Sequence, residues 1–278
     1  MNTKTQPMTT RKNFVFVFLL LISPQIASGQ NKIFAFWQNM PEPEHRLVAG
    51  IHAGGGYLMA TAVSNDNSMI KKGISASQAN DFNKKLKYGW TAGGDIHYMF
   101  SDYIGVGAQY SLFSSSAQKD FLATIQPVSA ISQYVHVGMN EMQYIHYAGP
   151  SVIFYRRWFD ENKTFQLTGA LSAGYVHYRK ETRIDPTQYT AFYYSLNRGN
   201  TWGANAGVSV EYFPLSRLSV GINAGFNYAR LTQVNEQTND ETTRTVESRK
   251  IDYSQSLARL DYSLIIRFHL YNPKNKEQ

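Results

Sequence analysis

The chain has 278 residues, of which 43% are hydrophobic, and these values are typical of a folded protein with one large or two ordinary domains. Its mean hydropathy of -0.37 excludes a bundle of membrane-spanning helices but not membrane-spanning strands, because alternation dilutes apolar residues with polar ones. The absence of cysteine excludes disulfides and thiolate metal sites, and the net charge of +7 is too diffuse to indicate nucleic acid as a partner.

Residues 1–29 have the organisation of a secretory signal peptide. Lys4, Arg11 and Lys12 precede an apolar run at 14–22, and small residues at 27–29 follow it. The apolar run is about nine residues long, whereas a helix needs about twenty to cross a bilayer. We therefore expect cleavage before Gln30 and export into the envelope of a Gram-negative bacterium.

After a proline-containing lead-in at 30–46, eight segments alternate apolar and polar residues as β-strands do. These segments are 47–59, 88–100, 103–113, 142–155, 164–178, 201–213, 217–230 and 256–271, and a polar tail at 272–278 follows them. Short and long connections alternate between them, which predicts short periplasmic turns and long extracellular loops, with both termini on the periplasmic side. The last long connection, around 235–250, is expected to be exposed and mobile.

The seventh and eighth segments show the alternation most clearly. Even positions from Leu218 to Tyr228 are apolar or aromatic, and the odd positions between them are small or polar. One face therefore suits hydrocarbon and the other suits water. This pattern predicts an all-β fold, an eight-stranded antiparallel up-and-down transmembrane β-barrel at 47–271. A soluble β-sandwich with an apolar centre is the alternative.

The fourth segment does not show which of its faces points inward. In 142–155 either parity mixes polar and apolar residues, and Pro150 removes a hydrogen-bond donor from the ladder. We expect a bulge or a local change of register there.

Three stretches resemble the small outer-membrane β-barrel proteins of the broad OmpA/OmpX-like group, particularly the barrel domains found in Bacteroidetes. They are the leader, the glycine-rich first strand at 49–57 and the final strand at 262–271. The resemblance covers residues 47–271 and implies insertion by the outer-membrane assembly machinery. In such families the chain commonly ends in an aromatic residue that this machinery reads, whereas here Tyr271 is followed by 272–278.

Strand parity places polar and charged side chains inside the barrel. We expect Asp95, Glu211 and Asp261 to pair with Arg259 and Arg267, because buried charges need partners and an eight-stranded barrel is just wide enough to be filled by its own side chains. This lumen polar network predicts a structural filling. No motif indicates a catalytic, cofactor or metal site, so the sequence predicts a protein that is not an enzyme.

The first long connection is rich in lysine. Lys71, Lys72, Lys84, Lys85 and Lys87 are candidates for electrostatic contact with lipopolysaccharide phosphates, and a solvated loop is the alternative. The expected partners are outer-membrane lipids, lipopolysaccharide and the assembly machinery, with the chain as a monomer.

The function predicted from the sequence is a structural or surface-interaction role in the cell envelope, carried by the outer loops. A narrow porin-like channel for small solutes is one alternative. A lipid-modifying enzyme is another, because His177 lies on the expected lipid-facing side of the fifth segment near its outer end. No nucleophile motif accompanies His177.

Overall fold

The computed structural model describes residues 45–60, 75–125, 133–158, 165–186, 193–240 and 245–271. The described residues form nine strands, namely β1 (His45–Leu58), β2 (Tyr88–Met99), β3 (Ile104–Ile125), β4 (Gln133–Trp158), β5 (Phe165–Pro186), β6 (Tyr193–Leu215), β7 (Leu218–Asp240), β8 (Thr245–Ser256) and β9 (Arg259–Tyr271). A helix, α1 (Ala76–Lys87), lies between β1 and β2 in sequence. The predicted signal peptide, nearly all of the lead-in and the polar tail lie outside the described residues.

The strands form a single antiparallel sheet that closes into a ring. Each strand from β1 to β7 pairs with the next, β7 pairs with both β8 and β9, and β9 pairs with β1. Only Leu257 and Ala258 separate β8 from β9, so these two strands together occupy the eighth position of the ring. The predicted eight-stranded up-and-down barrel is confirmed.

The connections that were predicted as long loops are largely strands. The hairpins β3–β4, β5–β6 and β7–β8 continue well beyond the ring, so 114–125, 133–141, 179–186, 193–200 and 231–240 are paired. The prediction of a loop at 235–250 is therefore wrong for its described residues, which are paired, whereas the expected exposure is observed at 246–250; 241–244 lies outside the described residues. Apolar–polar alternation could not reveal these hairpins, because a hairpin in water can be polar on both faces while its backbone stays paired.

We refer to the two ends of the barrel by their connections. The turn end carries the short connections β2–β3, β4–β5 and β6–β7, and the hairpin end carries the three long hairpins. Helix α1 lies at the hairpin end and packs against residues of the β3–β4 hairpin.

Helix α1 stands where the sequence predicted part of a loop. Its N-terminus is a capping box, in which the Ser75 hydroxyl accepts from the Gln78 N–H and the Gln78 side chain accepts from the Ser75 N–H, both at 3.3 Å. Its buried side chains recur at helical spacing: Ala79, Phe82, Asn83 and Leu86. Among the described residues, no helix combines the length and apolar character needed to cross a membrane.

The structure assigns the facing of β4. Odd positions such as Glu141, Ile145 and Tyr155 are buried inside, and even positions such as Phe154 face outward. The expected register change at Pro150 is wrong: pairing with β3 is continuous, and pairing with β5 skips 149–150 but resumes in the same register. The β4–β5 ladder therefore lacks pairs at the proline but contains no β-bulge there.

Outward side chains form an aliphatic band between two aromatic girdles. The turn-end girdle contains Tyr98, Phe100, Tyr103, Phe154, Phe165, Tyr212 and Phe268, and the hairpin-end girdle contains Tyr88, Trp90, Tyr175, Trp202, Tyr228 and Tyr262. Exposed aliphatic residues such as Leu171, Val208, Ile222 and Leu264 lie between them. The two girdles are ten residues apart along β5 and β6, which is about 25 Å along the barrel axis for strands tilted by about 40°.

The interior is layered rather than uniformly polar, and this differs from the expectation. Strand β4 crosses the layers in order from the turn end: apolar Tyr155 and Ile153, polar Ser151, apolar Tyr147 and Ile145, polar Gln143 and Glu141, and apolar Met139 beneath α1. Apolar layers at both ends of the lumen fill space without needing hydrogen-bond partners. The polar side chains are thus confined between them.

Candidate functional site

The first part of the lumen polar network centres on Arg267 of β9. Its guanidinium contacts Glu211 of β6 at 2.5 Å and Asp95 of β2 at 3.0 Å, and all three side chains are almost fully buried. Ser219 donates to the second oxygen of Glu211 at 2.6 Å, and its hydroxyl lies 3.1 Å from His269. One cation is therefore held between two carboxylates from opposite sides of the ring.

The second part centres on Arg259, also of β9. Its Nε donates to Asp261 at 3.0 Å, one Nη donates to Ser111 at 2.9 Å, and the guanidinium lies over the ring of Phe113, 5.4 Å from its centroid. The five predicted network residues are thus in the lumen, where they form two ion-pair groups rather than a single cluster.

A chain of hydrogen-bonded side chains crosses the lumen from the Arg259 group to β4. Each member donates to or accepts from the next at 2.6 to 3.2 Å. Its members, in order, are Asp261, Asn227, Asn205, Gln109, Ser172 and Tyr147. Because each polar group is bonded to a neighbour, this filling stabilises the closed barrel rather than leaving binding groups free.

The space left between these side chains is small. A cavity of about 30 Å³ is lined by His52, Asp95, Asp261 and Arg267 with smaller neighbours. A site for one water needs about 10 to 15 Å³, so the cavity has room for about two. Apolar layers lie toward both ends of the barrel, with Val48, Met99, Ile153 and Tyr155 at the turn end, and a larger cluster around Phe113 and Tyr178 at the hairpin end.

The lumen also contains a Ser–His–Asp array that was missed in the sequence. The Nε2 atom of His97 is 2.7 Å from the Ser151 hydroxyl, and its Nδ1 atom is 3.3 Å from the Asp95 carboxylate. This is the order of groups in acyl-transfer triads. Asp95 and His97 share a face of β2, a signal available in the sequence, but Ser151 lies on the strand whose facing was unassigned. Ser151 and His97 are only 4% and 1% exposed, so both side chains are buried in the lumen.

The outward His177 belongs to a cross-strand pair. It lies directly opposite His146 of β4, with ring centroids 6.0 Å apart. The Nδ1 of His177 is 2.7 Å from the side-chain amide oxygen Oδ1 of Asn200, and the Nδ1 of His146 is 2.8 Å from the Tyr110 hydroxyl. An amide and a phenol are thus the hydrogen-bond partners of the two rings, whereas a hydrolytic base needs a nucleophile and an orienting carboxylate.

Three of the five candidate lysines lie on α1, and the loop interpretation is wrong for them. Lys84, Lys85 and Lys87 occupy its last turn, where cations interact favourably with the helix dipole. Lys84 is 3.8 Å from Asp81, and Lys87 lies over the Tyr57 ring at 6.0 Å. Lys71 and Lys72 lie outside the described residues.

No group of three or more His, Asp or Glu side chains suited to a metal ion is present among the described residues.

Comparison with known proteins identifies the fold. A major outer membrane protein from Thermus thermophilus is similar to this chain with a TM-score of 0.50 and 11% identity, over 81% of this chain and 99% of that one. The fold is that of an outer-membrane β-barrel. Escherichia coli outer membrane protease OmpT matches with a TM-score of 0.45 and 10% identity over 84% and 99% of the two chains. Pseudomonas aeruginosa OprG matches with a TM-score of 0.38 and 12% identity over 82% and 99%. No protein-family model and no curated protein sequence matches the chain.

Proposed function

We propose that this chain is a protein of the bacterial outer membrane with a non-enzymatic structural or surface-interaction role. The observation that carries the proposal is the aliphatic band of about 25 Å between two aromatic girdles, since this is the outer surface that a bilayer requires of a barrel. The basic leader at 1–29 supports export, and the assembly machinery and outer-membrane lipids are the partners that follow from this location.

The hairpins are the best-placed surface for interaction with other molecules. They extend the sheet beyond the hairpin-end girdle, and their outer positions are polar, such as Gln237 and Lys250. Because the hairpins are paired strands, they present side chains at fixed positions, and the β3–β4 hairpin also packs on α1. Side chains that are already held in position lose little conformational freedom on binding, so this surface favours binding of another molecule.

The filled lumen supports this role over a porin-like channel. The charged side chains are bonded to each other, and the remaining cavity holds about two waters. The ion-pair groups at Arg259 and Arg267 would have to separate before an ion could pass.

Hydrolysis is the second candidate function, and the Ser151–His97–Asp95 array favours it. A working triad needs space for its substrate beside the serine. This array instead lies between the small cavity and the apolar layer at the turn end. An ester or peptide needs far more space than two waters, so we assign the array a structural role.

Electrophoresis of the refolded protein and fractionation of expressing cells test the proposal. A closed hydrogen-bonded ring resists dodecyl sulfate, so the unheated protein is expected to migrate differently from the boiled protein and to fractionate with outer membranes. A single mobility, together with recovery in the soluble periplasmic fraction, would contradict a membrane barrel and favour the β-sandwich alternative.

A further inference from the structure

The outward face of the barrel carries a row of cations beyond the hairpin-end girdle. Arg179 of β5 lies opposite Arg198 of β6, Arg198 lies opposite Asn235 of β7, and Asn235 lies opposite Lys250 of β8. These residues thus lie side by side on four neighbouring strands, which are spaced by about 4.8 Å. We call Arg179, Arg198 and Lys250 the basic row.

Two guanidinium groups opposite each other on adjacent strands repel, and this arrangement destabilises a sheet unless an anion is present. Arg179 forms an ion pair with Glu181. Asp252, the carboxylate next along β8 from Lys250, accepts from Gln233. Among the residues that the structure describes, no ion pair or hydrogen bond reaches the exposed Arg198 side chain. The centre of the row therefore has positive charge without a counter-charge.

The height of the basic row matches that of lipid headgroups. Arg179 and Arg198 are each four residues beyond a girdle residue, Tyr175 and Trp202 respectively, which is about 10 Å along the axis for tilted strands. Headgroups occupy about 5 to 8 Å outside the hydrocarbon on each side. Long arginine side chains reach back toward an interface, so the guanidinium groups lie at the level of the phosphates.

We propose that Arg179 and Arg198 form a binding site for the phosphate groups of an outer-leaflet lipid, a phosphorylated glycolipid of the lipid A type, and that Lys250 extends this site. The inference rests on the proposed outer-membrane location. A guanidinium donates two parallel hydrogen bonds to a phosphate, and two neighbouring guanidinium groups offset its double charge. The polar edge formed by His146, His177 and Asn200 lies between this site and the girdle.

This site differs in position from the candidate lysines on α1, Lys84, Lys85 and Lys87. The carbonyl of Leu86 in α1 accepts from Ser115 at 2.7 Å and from Gln143 at 2.8 Å, and both of these side chains are buried on the inner face. Helix α1 therefore lies within the ring of hairpins. The basic row lies on the outer wall, where a lipid in the leaflet meets the barrel directly.

Binding to the full-length mature protein, refolded in a phosphate-free maltoside detergent, tests the site. Diphosphorylated lipid A, dephosphorylated lipid A and inorganic phosphate are each titrated, and bound lipid is measured by native mass spectrometry. The test variant is Arg179→Gln/Arg198→Gln. The matched control is Arg156→Gln/Arg217→Gln, which removes the same charge from exposed positions near the turn end.

Diphosphorylated lipid A is expected to bind at least about tenfold more weakly to the test variant than to the wild type and the control, since each lost arginine removes charge-assisted hydrogen bonds. Equal weakening in the control, equal binding of dephosphorylated lipid A, or inorganic phosphate binding as tightly as the lipid would overturn the inference. Heat-dependent mobility is recorded for every variant. A folded barrel without the lipid preference refutes the lipid site alone, whereas loss of the mobility shift in the wild type refutes the membrane location.

Discussion

The ring of Phe113 on β3 lies over the neighbouring strands β2 and β1 because two glycines leave space for it. A Cβ atom on Gly56 would lie 2.8 Å from one ring carbon, and a Cβ atom on Gly89 would lie 2.7 Å from another. Real side chains do not approach so closely without displacement. The glycines of the first strand and Gly89 thus allow the apolar layer at the hairpin end to pack on β1 and β2.

Each buried charge of the lumen is tolerated only because an oppositely charged partner lies beside it. Arg267 lies between Asp95 and Glu211, and loss of the cation would leave two carboxylates facing a nearly closed space. Removing one partner of a buried ion pair costs about 3 to 5 kcal/mol, whereas the intact pair contributes little compared with apolar packing. These groups therefore specify the arrangement of the interior more than they stabilise it.

Ser151 is expected to be unreactive despite its short contact with His97. A small fluorophosphonate should label neither the wild type nor Ser151→Ala, because the cavity has room for about two waters. A soluble serine hydrolase in the same detergent serves as the positive control. Labelling of the wild type that both Ser151→Ala and His97→Asn abolish would establish a hydrolase instead.

At the scale of the element, β7 shows how one strand serves two environments. Ile222 is 65% exposed in the aliphatic band, whereas its neighbour Asn223 lines the cavity and donates to Ser263 at 3.2 Å. The two side chains point to opposite faces because the side-chain period of a strand is two residues.

Ile222→Arg is therefore expected to destabilise the inserted barrel by about 2 to 4 kcal/mol, since it places a cation near the bilayer midplane. Asn223→Ala removes one hydrogen bond and should cost about 1 kcal/mol. Urea unfolding in lipid vesicles, followed by the heat-dependent mobility shift, measures both. Equal losses at the two positions would mean that the inner and outer faces are exchanged.

Across the whole barrel, buried side chains of the described residues fill the lumen in successive layers. Apolar layers lie on both sides of the polar layer, and α1 packs at the hairpin end. Helix α1 contributes Phe82 to this packing, with its ring centroid 6.1 Å from that of Phe121. An axial path for ions would have to pass each of these layers.

The protein is accordingly expected to insert into planar bilayers without producing conductance steps, because buried apolar and ion-paired side chains fill the lumen. A general porin inserted under the same conditions is the positive control. Reproducible steps that scale with salt concentration would support the channel alternative and contradict the sealed lumen.

The order of the strands, the short turns and the facing of most strands could be predicted from the sequence because these are local properties. Alternation in 217–230 and 256–271 reports which side chains share a face whatever the strand pairs with. Helix α1 was also within reach, since its capping box and the spacing of its buried residues are local signals that the loop interpretation overlooked. The facing of 142–155 was not within reach, because apolar layers inside the barrel give both faces of that strand a mixed composition.

Alternation and the placement of charged residues in the sequence predicted a closed sheet with an apolar exterior and ion pairs within. How far the hairpins extend, the contact of Ser151 with His97 and the pairing of Arg179 with Arg198 came instead from the three-dimensional arrangement. The difference lies in register. His97 and Ser151 are 54 residues apart in the chain, and which residues face each other across separate strands depends on the register of pairing around the ring, which no local pattern records.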